Sequence, residues 1–176
     1  RLFKTTCNES LTSMVWRIPE VEDRLKFLID QVERITGLQE FGVYLNKLFT
    51  IDAIFLNEDR HMHNIAVMMN GKGEFDYCPI FDNGGALLTD TTMDYPLDQD
   101  ELLLMKEVHA KTISSDFDEQ LDASEHFYGR NLRFSFTKKD VERLLKEIPG
   151  YSEQEKNRVQ DILFEQMRKY KYLFKN

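Results

Sequence analysis

Cysteine is scarce: the chain has two, Cys7 and Cys78, and no Cys-x-x-Cys pair. They cannot build a disulfide framework or a zinc cage, so they are read as reduced thiols of a cytoplasmic protein. Uncharged apolar runs long enough to span a bilayer are also lacking, and Arg1-Leu2-Phe3-Lys4 is not the apolar stretch of a signal peptide. Positive charge is in deficit, with 23 Lys and Arg against 31 Asp and Glu. The resulting net charge of −8 works against attraction to nucleic acid or anionic lipid, so neither a membrane nor a direct nucleic-acid partner is expected. Repeats, low-complexity tracts and Pro/Ser-rich linkers are missing as well, and residues 1–176 are read as a single domain.

What is present is mostly helical. From Ile18, apolar residues at Val21, Leu25, Leu28, Ile29, Val32 and Ile35 recur in three- and four-residue steps, with Pro19 suited to a helix start and Gly37 to its end. Phe41 to Leu56 carries apolar residues all round the helix, which predicts a buried helix leading directly into Asn57-Glu58-Asp59. Ile65-Ala66-Val67-Met68-Met69 and Phe75 to Phe81 flank a Gly-rich turn and predict a β-hairpin. A helix is expected from near Asp98, with Glu101 three residues on, to near His109, and an extended segment over Asn131 to Phe136. Thr137 with Asp140 and Ser152 with Glu155 mark two more helix starts, running to about Ile148 and about Leu173. The fold class is α+β, mostly α, with a small central β-hairpin.

The most polar residues flank the hairpin. Asp59-Arg60-His61-Met62-His63-Asn64 enters it and Asp82-Asn83-Gly84-Gly85 leaves it, so Asp59, Asn64 and Asp82 are expected side by side at its mouth. One carboxylate to accept or orient a hydroxyl proton, plus an oxygen pair for Mg²⁺, is the grouping that phosphoryl transfer from ATP needs. Asp-x-x-x-x-Asn is the interval used by protein-kinase catalytic loops, and an Asp with Gly two residues later parallels the metal-binding Asp-Phe-Gly. Asp59 then reads as the base, Asn64 as a neutral amide ligand of Mg²⁺ and Asp82 as its principal carboxylate.

Asn57-Glu58-Asp59-Arg60-His61-Met62-His63-Asn64-Ile65-Ala66-Val67, followed by Pro79-Ile80-Phe81-Asp82-Asn83-Gly84, resembles the C-terminal lobe of the HipA-like serine/threonine kinases. The Asp-Arg-His-x-x-Asn loop is shared with phosphatidylinositol 3- and 4-kinases. The resemblance implies a kinase-like C-terminal lobe using ATP and Mg²⁺, a protein Ser/Thr acceptor and a toxin-antitoxin setting. It also implies catalytic Asp59, Mg²⁺-binding Asn64 and Asp82, and His61 near the transferred phosphate. The chain departs from the pattern where Asn83 replaces the Phe of Asp-Phe-Gly. No Gly-rich phosphate loop with a strand Lys stands before Asp59. A nucleotide-gripping N-terminal lobe is therefore expected as a partner, in cis or on another chain, and the isolated fragment is expected to be inactive.

Blander expectations stand beside these. Asp and Asn favour turns and caps, so the three oxygen donors could be loop residues of a catalytically inactive kinase-derived scaffold. His61-x-His63 beside Asp59 could serve a metal-dependent hydrolase, but a catalytic zinc needs a third protein ligand, and His109 and His126 fall in expected helices. His63 reads as a loop packing or hydrogen-bonding residue and Gly84-Gly85 as relief of backbone strain after Asp82. Thr89, Thr91 and Thr92 sit where an activation segment would lie and read first as a solvated loop.

Overall fold

The computed structural model describes residues 10–175, which leaves Cys7 and the N-terminal tetrapeptide outside the described residues. Seven α-helices occur among the described residues, α1 (Leu11–Trp16), α2 (Val21–Thr36), α3 (Phe41–Phe55), α4 (Glu101–Leu104), α5 (Phe117–Tyr128), α6 (Lys138–Glu147) and α7 (Glu153–Lys169). Strands β1 (Val67–Met69) and β2 (Phe75–Tyr77) form an antiparallel pair in which Val67 faces Tyr77 and Met69 faces Phe75. The described residues are mostly helical with one small hairpin, as the periodicities predict. Among the described residues no helix is long and apolar enough to cross a membrane.

Helix α3 is the axis of the core. Phe41, Leu45, Leu48, Phe49, Ala53 and Ile54 are all buried, and α2, α5 and α7 pack around it. This explains why its apolar residues do not keep to one stripe: most of its surface meets a neighbour, and of α3 only Lys47 is exposed. Each such large side chain contributes about 1.5–3 kcal/mol by leaving water. Polar groups inside are mostly paired. Asn46 on α3 donates to the Ser124 hydroxyl on α5 at 3.0 Å and accepts from the Asn131 backbone at 3.0 Å, while Gln166 on α7 donates to the Ala53 carbonyl at 2.5 Å. Gly42 admits the Tyr128 ring, which would lie 2.3 Å from a Cβ there.

Local capping chemistry sets several boundaries. Gly37 ends α2 in the left-handed conformation at φ 73°. Pro19 precedes the cap residue Glu20 and lies outside the helix it was expected to start. Both capping boxes form, Thr137 with Asp140 and Ser152 with Glu155. Helix α7 stops at Lys169 and a 3-10 turn, Lys171–Leu173, completes the segment expected to be helical.

Other expectations are corrected. The helix sought from Asp98 to His109 is a single turn, α4, capped by Asp100 through the amides of Leu102 and Leu103. His109 therefore lies in a loop, whereas His126 is on α5. The strands are shorter than their apolar runs: Ile65 and Ile80 lie outside the paired residues and pack on the core. The segment 131–136 joins no strand ladder; Phe134 makes one parallel bridge to Phe174, sealed by ring contacts among Phe134, Phe136 and Phe174.

Candidate active site

The site begins inside α3. Asp52 is fully buried among apolar neighbours, and an isolated carboxylate there would be prohibitively costly. Its partner is Arg60, 1% exposed: Arg60 Nε donates to Asp52 Oδ2 at 3.1 Å and Nη2 to Oδ1 at 3.2 Å. Asn57 Nδ2 adds a bond to Oδ1 at 3.1 Å. Burial pushes the Asp52 carboxyl up to about 6, with Arg60 and Asn57 drawing it back.

From this anchor Arg60 reaches both flanks of the hairpin. Nη1 donates to the Asn64 carbonyl at 3.2 Å and to the Phe81 carbonyl at 2.5 Å, and Nη2 donates to Asn83 Oδ1 at 2.5 Å. The strand that leaves the hairpin is thereby held against the loop that enters it. Thr112, also buried, donates its hydroxyl to the Arg60 carbonyl at 2.5 Å and fixes the loop from the far side.

Asp59 and Asn64 are in direct contact. Asn64 Nδ2 donates to the Asp59 carbonyl at 2.8 Å and to its carboxylate Oδ2 at 3.3 Å, which commits the amide hydrogens and leaves Asn64 Oδ1 as a free acceptor. A 3-10 turn, Met62–Asn64, delivers Asn64 to this position. His61 Nε2 lies 3.7 Å from Asp59 Oδ1, and its Nδ1 accepts from the His63 amide at 3.2 Å. His63 is exposed; its backbone amide bonds His61, and its ring meets the His61 ring edge to face.

Asp82 is presented differently. Its backbone is left-handed at φ 55°, its side chain is exposed, and no described residue bonds its carboxylate. The residues on either side of it are the two that Arg60 holds. Neither Gly84 nor Gly85 has a positive φ, so they do not relieve the strain expected after Asp82; that strain sits on Asp82 itself. Gly85 has another role, because a Cβ there would lie 2.8 Å from Asp59 Cβ. Its carbonyl accepts from the Glu58 amide at 3.3 Å, which brings the outgoing segment against the Asp59 loop.

The fold is similar to a solved structure, the proinflammatory kinase CtkA of Helicobacter pylori, with a TM-score of 0.53 and 18% identity over 85% of this chain. The lobe is kinase-like in fold. The chain spans 60% of the length of that kinase. No protein-family model matches the sequence, and no curated protein matches it.

Asn64 Oδ1 is a free amide oxygen and Asp82 an exposed carboxylate, each of a kind that a hard divalent ion takes, and no hydrogen bond joins Asp82 to Asp59 or Asn64. Among the described residues no three His, Cys, Asp or Glu side chains are grouped to hold a metal, so His61 and His63 find no third ligand of the kind a catalytic zinc site requires. A cleft of about 730 Å³ between α4, the start of α5 and the end of α7 contains none of the four candidate residues, although Leu56, at the end of α3, forms part of its wall.

Asp52, Arg60, Asn57 and Thr112 have a role here that no spacing in the sequence assigns to them. One signal is present: Asp52 is the one acidic residue of α3, a helix with apolar residues on all sides, and a carboxylate buried there demands a cation nearby. Of the threonines after the hairpin, Thr89 donates to the Gly84 carbonyl at 2.7 Å, and the Asp90 carboxylate caps the amides of Thr92 and Met93.

Proposed function

We propose that this chain is the C-terminal lobe of a HipA-like kinase that transfers a phosphoryl group from Mg·ATP to a hydroxyl, with a protein Ser or Thr as acceptor. The observation that carries the reading is the Asn64 amide: both its hydrogens are spent on Asp59, so its free oxygen faces away from the base it positions. A turn or cap residue in an inactive scaffold has no need of that division between donor and acceptor ends.

Mg·ATP, when bound, supplies the phosphoryl group and the divalent charge that neutralises it. Asp59 accepts or orients the proton of the acceptor hydroxyl through its half-exposed carboxylate. Asn64 Oδ1 and the Asp82 carboxylate would hold the ion, one neutral and one charged oxygen. His61, tethered to the loop through its Nδ1, holds Nε2 beside Asp59, from where it would meet the transferred phosphate. A nucleotide-gripping lobe, in cis or on another chain, covers the triphosphate, so residues 1–176 alone bind Mg·ATP weakly and turn over negligibly.

The test is incubation of the natural full-length protein with Mg·ATP, followed by mass spectrometry for phosphate on itself and on candidate proteins. Phosphoserine or phosphothreonine that disappears in Asp59→Asn supports the reading. Absence of any transfer by the folded protein across protein, lipid and small-molecule hydroxyls would overturn it.

A further inference from the structure

The residue after Asp82 is an asparagine, and its side chain has one partner. Asn83 Oδ1 accepts from Arg60 Nη2 at 2.5 Å, and no other described residue bonds it. Asn83 is exposed, so it contributes little apolar burial. One residue earlier, the Phe81 carbonyl accepts from Arg60 Nη1 at 2.5 Å. The two arms of a single guanidinium therefore hold the chain immediately before and immediately after Asp82.

What lies between those two bonds is a strained residue. Asp82 adopts φ 55°, a region that L side chains occupy sparingly and that surrounding structure must impose. The imposing group cannot drift. Arg60 is buried, its guanidinium is planar and rigid, and its remaining edge is forked onto Asp52. A phenylalanine at this position, as in an Asp-Phe-Gly triplet, has no acceptor to offer the guanidinium.

We infer that Asn83 is a positioning residue for Asp82: its bond to Arg60 locks the left-handed turn that sets the direction of the Asp82 carboxylate. The inference rests on the kinase reading of Asp82 as a metal ligand. Asn83 holds the ligand's backbone and does not itself touch the ion. Removing the tether frees Asp82 to relax toward extended backbone, which swings its carboxylate away from the site while the Asp52–Arg60 pair and the core stay intact.

The experiment uses Mn²⁺ as the probe, titrated into the chain and followed by paramagnetic broadening of backbone amide signals, for wild type, Asn83→Ala and Asp82→Asn. Melting temperatures and residual dipolar couplings at residue 82 are recorded on the same samples. Asn83→Ala is expected to weaken Mn²⁺ binding about 10- to 100-fold, the usual effect of removing an outer-shell partner. Its melting temperature should stay close to wild type, while the couplings at Asp82 leave the left-handed value. If Asn83→Ala binds Mn²⁺ within twofold of wild type while Asp82→Asn loses it, the positioning role is wrong and the metal assignment survives. If Asp82→Asn binds as wild type does, the metal assignment itself fails and the role of Asn83 falls with it.

Discussion

A Cβ placed on Gly85 would come within 2.8 Å of the Cβ of Asp59. The segment leaving the hairpin thus approaches the candidate base too closely for any side chain. Gly85→Ala forces one backbone away from the other and should cost about 1–3 kcal/mol, the usual range for overpacking. Gly84→Ala, which meets open space, should stay within about 0.5 kcal/mol of wild type. Urea unfolding of the two variants measures the contrast, and equal effects would mean that the close approach is absent in solution.

Asp52→Ala leaves the buried Arg60 hydrogens that Asp52 accepts without an acceptor, whatever the charge on Asp52. An unsatisfied buried donor should cost about 1–3 kcal/mol. It should also loosen the segment 81–83, because the anchor of Arg60 is lost. Denaturant unfolding reads the first effect, and hydrogen exchange at the Asn83 and Gly84 amides reads the second.

Asp52 also gives the lobe a pH dependence. Its carboxyl titrates near 6 when folded, above its ordinary value of 3.8, because burial outweighs the attraction of Arg60. The native state then binds this proton more tightly than the unfolded chain does. Stability from this group is fully present below the unfolded value and is lost as pH rises through about 6. Carbon-13 NMR of the Asp52 carboxyl should show a midpoint near 6, and Asp52→Asn should remove the matching downward slope of stability with pH between about 4 and 6.

The two candidate carboxylates should fail differently in the full-length protein. Asp59→Asn should leave Mg·ATP affinity nearly intact and lower transfer on the order of 10²–10⁴-fold, the contribution of a positioned base. Asp82→Asn should weaken Mg·ATP binding as well as transfer, since only the neutral Asn64 oxygen remains for the ion. His61→Ala should fall between them if its ring meets the transferred phosphate, and should lower stability alone if it only braces the loop. Nucleotide titration with single-turnover transfer separates these cases; wild-type transfer by Asp59→Asn together with wild-type nucleotide binding by Asp82→Asn would make the scaffold reading the better one.

Much of the lobe was legible in the residues because it rests on local rules. The apolar steps of α2, the all-round apolar surface of α3 and the capping boxes at Thr137 and Ser152 involve partners a few positions apart, and each formed. The hairpin was equally visible, and with it the adjacency of the loop 59–64 to the segment 81–85. The length of α4 was not, because apolar residues such as Val108 and Ala110 are buried in the core from a loop and mimic a helical pattern.

The amino-acid order by itself determined which residues enter and leave the hairpin, and so which oxygen donors could meet. Only tertiary structure decided how they are held. Arg60 joins Asp52, eight positions earlier, to Phe81 and Asn83, more than twenty positions later, and no periodicity encodes that set. The left-handed Asp82 lies between two of those bonds, and Gly85 approaches Asp59 just beyond them. The physical reason is burial: a charge sealed in the α3 core must satisfy every donor it carries, and the groups that satisfy it are whichever parts of the chain the fold brings within reach.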